Sequence, residues 1–287
     1  MFMVRLFRLL ALLPLPLMQR LGATLGWLVW LLSDRYRRRL ETHATQAGFT
    51  PAQYRPAVAA MGSMLAELPW LWLRSPQQGV LHLVRWEGVE LFEQALDAGH
   101  GVILALPHMG CWELFCQALA ERFSPTHGAL VALYRPARKA WLGPLVSNSR
   151  NRPGFQTVPT NVAGVRALLR TLRSGGYTAI LPDQVPPAGQ GAWAPFFGQP
   201  AYTMTLLPRL AQQSGAAVLL GWCERLAPGQ GFVMHFETLH APALHDATAT
   251  PETAATALNQ GMEHLIRQAP GQYLWSYARY KQPPQDA

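Results

Sequence analysis

The sequence is poor in charge. Charged residues fill 14% of its 287 positions and hydrophobic residues 49%, whereas a soluble globular domain usually has roughly a quarter of its residues charged. Acids are the scarcer sign, with 16 Asp and Glu against 24 Lys and Arg, so the net charge is +8. This composition favours a membrane-associated protein, and the length is sufficient for one large domain or two small ones.

Cysteines and recognition motifs are also scarce. The three cysteines are an odd number and form no CxxC pair, which argues against a secreted disulfide framework and indicates a reduced compartment. No zinc-finger, RNP or helix-turn-helix pattern accompanies the positive charge, which argues against a nucleic-acid partner. No repeat or low-complexity linker divides the chain, so residues 41–287 are predicted to form one domain.

The N-terminus is apolar and rich in arginine. Two apolar runs, residues 9–18 and 21–32, are separated by Gln19 and Arg20. The second run is about 18 Å long as a helix, against a hydrocarbon core of about 30 Å. If the runs joined, Arg20 would lie near mid-membrane, which is unfavourable. Residues 1–40 are therefore predicted to form a membrane anchor of interfacial helices or a monotopic hairpin.

Basic residues strengthen this prediction. Residues 1–60 contain eight arginines against Asp34 and Glu41, which contributes +6 to the net charge. Arginines beside an apolar segment are typical of the anionic, cytoplasmic face of a membrane. The alternative is a signal peptide, which the charged start and the ten-residue apolar run favour. Against it, no A-x-A site follows Met18, and the second apolar run would be unexplained.

From residue 80 onward, predicted strands alternate with predicted helices. The strands cover 81–88, 101–107, 129–136, 177–184, 216–226 and 231–239, and the helices cover 89–99, 111–123, 162–176, 203–215 and 251–271. This order predicts an α/β domain with a mainly parallel central sheet flanked by helices. Sites in such sheets lie at the carboxyl ends of the strands, where His108, Arg135 and Asp183 fall.

The stretch ALPHMGCWELF contains a candidate pair, His108 and Glu113. On one helix, five residues rotate a side chain by about 140°, so the pair needs a break between strand and helix to come together. With His108 in that turn, Glu113 would accept from one imidazole nitrogen and leave the other free to take a proton. The sequence therefore predicts a general base, with Glu113 as the residue that orients it.

Three other interpretations of this stretch stay open from the residues alone. A metal site needs a third ligand, and no HExxH or similar set is present. Cys111 is a candidate nucleophile, but it begins a hydrophobic helix beside Trp112, where small cysteines are usually inert. A histidine that only caps a turn is equally consistent with the pattern.

A resemblance to a known family shifts this balance. PHMGCWELF resembles the H-x4-D/E block of the glycerolipid-type acyltransferase superfamily, and of the lipid A biosynthesis acyltransferases in particular. ALVALYRP is similar to their arginine block, and LPDQVPPAGQGAWAPFFGQPAYTMT to their DQ…G…PFFG…T block. The resemblance covers about residues 80–281. It implies an acyltransferase-like α/β fold around His108 and Glu113.

The resemblance also implies a reaction. A fatty acyl chain would pass from acyl carrier protein, as co-substrate and without a further cofactor or metal, to a hydroxyl of a Kdo-bearing lipid A precursor at the cytoplasmic face of the bacterial inner membrane. His108 would take the proton of the hydroxyl, and the attack would be direct, without an acyl-enzyme. Arg135, backbone amides near Gly110, or both would hold the oxyanion.

Further residues of the matching blocks are candidate substrate contacts. Arg135, Arg150 and Arg152 are candidates to clamp phosphates, because guanidinium groups match phosphate oxygens; a solvated basic face is the alternative. Asp183 and Gln184 are candidates to order the site loops or bind sugar, with a loop cap as the alternative.

The remaining candidates lie nearer the C-terminus. Phe197 and Gly198 of PFFG are predicted to line a wall for the acyl chain, although ordinary core packing is the alternative, and Thr203 belongs to the same block. Arg279 is a candidate anion ligand in WSYARYK, where this chain has Tyr277 and Ala278 instead of the usual histidine and arginine. That departure leaves the acceptor open.

Two different functions therefore remain as alternatives. One is an acyltransferase acting on a lysophospholipid, an aminolipid or another glycolipid. The other is a peripheral lipid-binding protein without catalytic activity, which would use the same basic, apolar surface.

Overall fold

The computed structural model describes residues 2–134 and 152–285. The helices are α1 Phe2–Leu10, α2 Leu15–Leu32, α3 Asp34–Gln46, α4 Pro51–Tyr54, α5 Pro56–Leu73, α6 Val89–Asp97, α7 Trp112–His127, α8 Val162–Arg173, α9 Leu206–Ser214 and α10 Pro251–Gln268. The strands are β1 Val84–Glu87, β2 Val102–Ala105, β3 Leu130–Tyr134, β4 Phe155–Pro159, β5 Tyr177–Ile180, β6 Gly191–Phe196, β7 Gln199–Met204, β8 Ala217–Arg225 and β9 Phe232–Thr238.

The central sheet has the strand order β1-β9-β8-β2-β5. Strand β2 pairs in parallel with β5 and β8, β1 pairs in parallel with β9, and β8 and β9 are antiparallel. A second parallel pair, β3 and β4, packs beside β5, and β6 and β7 form an antiparallel hairpin. The prediction of a central sheet flanked by helices is confirmed. The β6–β7 hairpin differs from the prediction, because residues 203–204, expected in a helix, belong to β7.

Helices cover both faces of the sheet. Val102 and Leu104 of β2 pack into one core with α6 and α7, and Ile103 and Ala105 pack into the other with α8, α9 and α10. Both faces of β2 are therefore apolar, which explains its uninterrupted VILA sequence.

The N-terminal helices pack on α5 through glycines. A Cβ on Gly22 would lie 2.4 Å from the carbonyl oxygen of Gly62, and a Cβ on Gly26 would lie 2.3 Å from that of Val58. Gly22 and Gly26 thus form a GxxxG face that lets the two backbones approach closely. This contact buries one face of α2 and leaves a row of leucines exposed, Leu17, Leu21, Leu25, Leu28 and Leu32.

The length of α2 differs from the estimate made from the apolar runs. Because Pro16 lies in its first turn, where proline is tolerated, the helix starts at Leu15 and continues past Arg20. Its 18 residues extend about 27 Å. Within the described residues, α2 is the one helix long and apolar enough to cross a bilayer, by length and composition.

Candidate active site

His108 lies in the turn that follows β2. Pro107 ends the strand, since proline has no N–H to continue the ladder. Gly110 has φ +60°, and a Cβ there would lie 1.8 Å from the carbonyl oxygen of Cys223, so only glycine fits without rearrangement. The sequence prediction of a strand, a turn at His108 and then a helix is correct.

The backbone of this turn is fully hydrogen-bonded to the protein. The amides of Met109, Gly110 and Cys111 donate to the carbonyls of Pro107, Gln272 and Cys223 at 2.7, 3.0 and 2.8 Å. These bonds hold the turn in place, but they also occupy its donors. That Arg135, backbone amides near Gly110, or both hold an oxyanion stays a prediction.

A carboxylate from the neighbouring strand holds the imidazole. His108 Nδ1 lies 2.6 Å from Asp183 Oδ1, and the His108 amide donates to Asp183 Oδ2 at 2.9 Å. In the β2–β5 ladder Ala105 is paired with Ile180, so His108 and Asp183 both lie three residues beyond a paired position. Strand register thus brings the two side chains to the same edge of the sheet.

This geometry corrects the role predicted for Glu113. The carboxylate on Nδ1 is that of Asp183, because parallel strand pairing brings it to the ring, whereas Glu113 belongs to the first turn of α7. Glu113 accepts a hydrogen bond from Trp72 Nε1 at 3.1 Å and lines the same cleft as His108. The Trp112 ring lies edge-on to the imidazole, with a centroid separation of 5.1 Å.

Asp183 is ionised despite being buried. Burial alone would raise the pKa of Asp183, but the charge of His108, its two hydrogen bonds and the charge of Arg279 together lower the pKa below its ordinary value. Burial first, and then the negative charge of Asp183, raise the pKa of Tyr273 well above its ordinary value. The carboxylate therefore keeps its charge facing Nδ1 across the neutral pH range.

A cleft of about 170 Å³ opens beside His108. It is lined by His108, Trp112, Glu113, Cys116, Ala132, Leu133, Phe155, Thr157, Ala179 and Leu181. His108 comes from the turn, and Glu113 and Cys116 come from α7, whereas β3, β4 and β5 contribute mainly apolar side chains. The cleft therefore combines a proton acceptor with an apolar interior.

Comparison with known proteins gives the family. A family model described as "Bacterial lipid A biosynthesis acyltransferase" matches residues 1–282. The chain belongs to this family. It is 26% identical over 277 residues to a lipid A biosynthesis acyltransferase of Haemophilus influenzae, which covers 93% of this chain and 82% of the relative. The family resemblance seen in the sequence is confirmed, and it supports an acyltransferase activity.

Two further relatives extend the comparison. The chain is 25% identical over 285 residues to the lipid A biosynthesis lauroyltransferase of Escherichia coli, covering 95% of this chain and 88% of the relative. It is also 28% identical over 173 residues to a phosphatidylinositol mannoside acyltransferase of Mycobacterium tuberculosis, covering 59% of this chain and 51% of the relative.

Two residues of the family blocks, Arg279 and Thr203, are buried, with 2% and 0% exposure. Arg279 donates to the carbonyl of Tyr202 at 2.7 Å and to Thr203 Oγ1 at 2.6 Å. Asn259 also donates to Thr203 Oγ1. The prediction that Arg279 and Thr203 contact substrate is therefore wrong in this structure, because both side chains join β7 to α10 and the C-terminal segment. Arg279 instead lies behind Asp183 as a neighbouring positive charge.

Phe197 and Gly198 form the β6–β7 turn. Phe197 has φ +47°, its amide donates to Glu263 Oε1 at 2.7 Å, and its ring packs on Phe49 and Trp275. Gly198 is exposed, with φ +74°. Neither residue lines the cleft beside His108. The predicted acyl-chain wall at PFFG is therefore not found there, and the alternative of core packing applies to Phe197.

The arginine candidates have different outcomes. Arg135 and Arg150 lie outside the described residues. Arg152 is half-buried, and its Nη2 donates to the carbonyls of Leu71 and Arg74 at the end of α5, at 2.8 and 3.0 Å. This contact ties Arg152 to the protein backbone, so its role as a phosphate ligand stays a prediction. Gln184 is half-buried next to Asp183 and also stays a prediction.

Cys111 has the surroundings of a packing residue. It is fully buried. Burial is the largest influence on its thiol and raises the pKa of Cys111 well above the ordinary value, and burial likewise raises the pKa of Cys223. A nucleophilic cysteine needs an accessible thiolate. Across residues 2–134 and 152–285, no group of three His, Cys, Asp or Glu side chains is arranged to hold a metal ion.

A buried ion pair under the His108 turn was missed from the sequence. Arg225 binds both carboxylate oxygens of Glu67, at 2.6 and 2.5 Å, and also donates to the carbonyl of Gly110 at 3.2 Å. Gln19 of α2 donates to the same carboxylate at 2.9 Å. Glu67 is the one charged residue of α5, and an acid in so apolar a helix is a signal that a buried partner exists.

Proposed function

We propose that this protein transfers a fatty acyl chain from acyl carrier protein to a hydroxyl of a Kdo-bearing lipid A precursor, at the cytoplasmic face of the inner membrane. The observation that carries the proposal is the His108–Asp183 pair beside an apolar cleft, in a chain of this family. Asp183 occupies Nδ1, and Nε2 has no hydrogen-bond partner among the described residues, so it is available to a substrate.

The chemistry follows from that arrangement. His108 Nε2 takes the proton as the substrate hydroxyl oxygen attacks the thioester carbonyl carbon. The tetrahedral intermediate collapses with cleavage of the C–S bond, and the departing thiolate takes the proton back from the imidazolium. Asp183, which accepts from Nδ1–H, stabilises the imidazolium between these two steps. The new ester and the free carrier thiol account for all atoms.

Attack is direct, and the enzyme forms no acyl intermediate of its own. Cys111, the cysteine nearest to His108 in the chain, is buried and its pKa is raised, so it is a poor nucleophile. The oxyanion requires donors that the occupied amides of the turn do not supply. We assign that role to Arg135, to backbone amides near Gly110 other than these occupied ones, or to both.

Glu113 is assigned to substrate positioning. It lies in the first turn of α7, on the same cleft as His108, and Trp72 fixes one of its oxygens. A carboxylate at this position can accept a hydrogen bond from the acceptor hydroxyl or from neighbouring hydroxyls of the sugar. It thereby orients the reacting hydroxyl toward His108 Nε2. The apolar side chains of β3, β4 and β5 suit the acyl chain.

The N-terminal helices provide the membrane contact. The exposed leucines of α2 lie on a different side of the helix from the GxxxG face that packs on α5. The arginines that follow α2, including Arg35 and Arg38, are exposed and suit anionic headgroups. These features support the proposal that the protein acts on a lipid acceptor that remains in the bilayer.

A second acceptor is supported by one relative. The Mycobacterium tuberculosis relative is named for phosphatidylinositol mannoside, another membrane glycolipid. The decisive experiment supplies a labelled acyl carrier protein thioester together with a Kdo-bearing lipid A precursor, a phosphatidylinositol mannoside or a lysophospholipid, and identifies products by mass spectrometry. The proposal expects acylation of the lipid A precursor. Transfer to another acceptor alone would contradict it, and absence of any transfer would favour the lipid-binding alternative.

A further inference from the structure

A buried ion pair lies under the turn that carries His108. The Arg225 side chain is 6% exposed and the Glu67 side chain 0%. Arg225 Nε and Nη2 donate to the two carboxylate oxygens of Glu67 at 2.6 and 2.5 Å, and Gln19 of α2 donates to the same carboxylate at 2.9 Å. The pair thus joins three separate elements, β8, α5 and α2, in the interior of the protein.

Stability alone does not account for this pair. Moving two charges out of water is unfavourable, and well-packed apolar side chains of similar volume are often as stabilising or more so. Within the described residues, Arg225 Nη1 is buried without a hydrogen-bond partner. Burial alone would lower the pKa of Arg225, but the charge and hydrogen bonds of Glu67 raise it above its ordinary value, so the guanidinium stays charged. A charged pair at this position therefore needs a role that apolar side chains cannot fill.

Arg225 also contacts the turn itself. Its Nη2 donates to the carbonyl of Gly110 at 3.2 Å. The amide of Gly110 donates to the Gln272 carbonyl at 3.0 Å, and the Gln272 side chain bonds to the amide and the carbonyl of Arg225 at 2.9 and 3.0 Å. Both backbone polar groups of Gly110 are therefore held by Arg225, one directly and one through Gln272.

The path of the turn at Gly110 bears on the His108 ring. Gly110 is two residues after His108 and has φ +60°. The His108 amide and Nδ1 both bind Asp183, at 2.9 and 2.6 Å, so the backbone and the ring are aligned on the same carboxylate. A small shift of the turn would change the direction of Nδ1 toward Asp183 and of Nε2 toward the cleft.

We propose that Arg225 is a positioning residue for the acyl transfer, aligned by Glu67. Its bond to the Gly110 carbonyl holds the turn in the path that directs His108 toward Asp183. This inference rests on the proposed function. The described lining of the cleft includes neither Arg225 nor Glu67, so the pair acts through the turn and does not contact substrate.

The test replaces both members of the pair, because removal of one alone leaves an unpaired buried charge. Glu67→Gln/Arg225→Met removes both charges, retains similar side-chain volumes and leaves an oxygen that can accept from Gln19. We expect kcat to fall by about 10- to 100-fold, because a small misplacement of a catalytic group has an effect of this size. KM for the acyl donor and for the acceptor should stay unchanged, because the lining of the cleft is intact. Product formation by mass spectrometry, with each substrate varied, gives both constants.

A second measurement needs no substrate. Proton NMR of the ¹⁵N-histidine-labelled protein detects the His108 Nδ1–H that donates to Asp183. In the double variant this signal should move upfield and exchange faster with water, while circular dichroism stays that of the folded protein. If the wild type transfers no acyl group, the proposed function fails, whereas this signal still tests the positioning.

A second variant covers the case in which the double variant does not fold. Glu67→Asp keeps both charges paired but draws the guanidinium toward α5, so kcat should fall by about three- to tenfold with KM unchanged. The matched control is Glu93→Gln/Arg122→Met, which applies the same two substitutions to an ion pair of 2.7 Å that joins α6 to α7. The control should leave kcat, KM and the His108 signal unchanged.

Three outcomes would overturn the inference. A folded double variant with an unchanged kcat and an unchanged His108 signal would make the pair a structural contact, even if its unfolding temperature is lower. If the double variant does not fold, an unchanged kcat and signal in Glu67→Asp lead to the same conclusion. A rise in KM at constant kcat would indicate that the pair shapes substrate binding and does not position the base.

Discussion

The two sides of the His108 imidazole have different surroundings. At Nδ1 the ring faces Asp183, which is buried, ionised and backed by Tyr273 and Arg279. On the cleft side it faces Glu113 and an apolar cavity. The Nδ1 side, here called the closed side, fixes the ring. The cleft side, here called the open side, receives substrate. The comparison shows that a carboxylate close in sequence need not be the one that orients a base.

The largest effect on kcat is expected when the imidazole ring of His108 is removed. His108→Ala eliminates the proton acceptor, so kcat should fall by about 10³- to 10⁴-fold. Product formation by mass spectrometry measures this. Circular dichroism and membrane binding should not change, because His108 is a side chain at a turn whose backbone bonds persist. Turnover close to that of the wild type would rule out His108 as the base.

The next largest effect is expected on the closed side. Asp183→Asn retains the shape of the side chain but removes the charge that stabilises the imidazolium, and we expect kcat to fall by about 10²- to 10³-fold with little change in KM. Steady-state kinetics with both substrates varied will separate the two constants. A rise in KM at constant kcat would indicate that Asp183 binds sugar instead.

A smaller effect is expected on the open side. Glu113→Gln preserves an oxygen that accepts from Trp72 Nε1, but it weakens a charged hydrogen bond to substrate. Such bonds contribute about 1.5–3 kcal/mol, so kcat/KM should fall by about 10- to 100-fold. The same kinetic assay, run beside Asp183→Asn, tests this order of effects. If Glu113→Gln lowered kcat/KM more than Asp183→Asn does, Glu113 would be the more important of the two carboxylates, contrary to this account.

The smallest effect is expected at Cys111, which lies in the same turn but is packed beneath it. Cys111→Ala should leave kcat within about twofold and lower the free energy of unfolding by about 1 kcal/mol, since a small buried group is lost. Thermal unfolding and the transfer assay measure the two quantities. Trapping of an acyl thioester on Cys111 would contradict direct attack.

Local features of the site could be predicted from the sequence. The apolar run before Pro107, the glycine at 110 and the hydrophobic helix after it are sufficient to predict a histidine in the turn at a strand end. Proximity in the sequence points to Glu113 as the partner of His108, because the sequence carries no other information on distance. Asp183 is 75 residues away, and only the β2–β5 register brings it to Nδ1.

The roles of the other candidate residues depend on whether their side chains are buried, and sequence motifs do not give burial. Arg279 and Thr203 belong to blocks that match the family, and the match does not distinguish a side chain that contacts substrate from one that joins β7 to α10. Similarly, PFFG combines apolar residues with a glycine, a pattern shared by a ligand wall and a hairpin turn. The pairing of Glu67 with Arg225 spans 158 residues and has no local signature beyond a lone acid in an apolar helix.

The central claim is that Asp183, and not Glu113, holds Nδ1 of His108. Proton NMR of the ¹⁵N-histidine-labelled protein measures it directly, since a ring N–H that donates to a buried carboxylate gives a low-field signal protected from exchange. The account predicts this signal in the wild type and in Glu113→Gln, and its loss in Asp183→Asn and His108→Ala. Loss of the signal in Glu113→Gln with retention in Asp183→Asn would contradict the account.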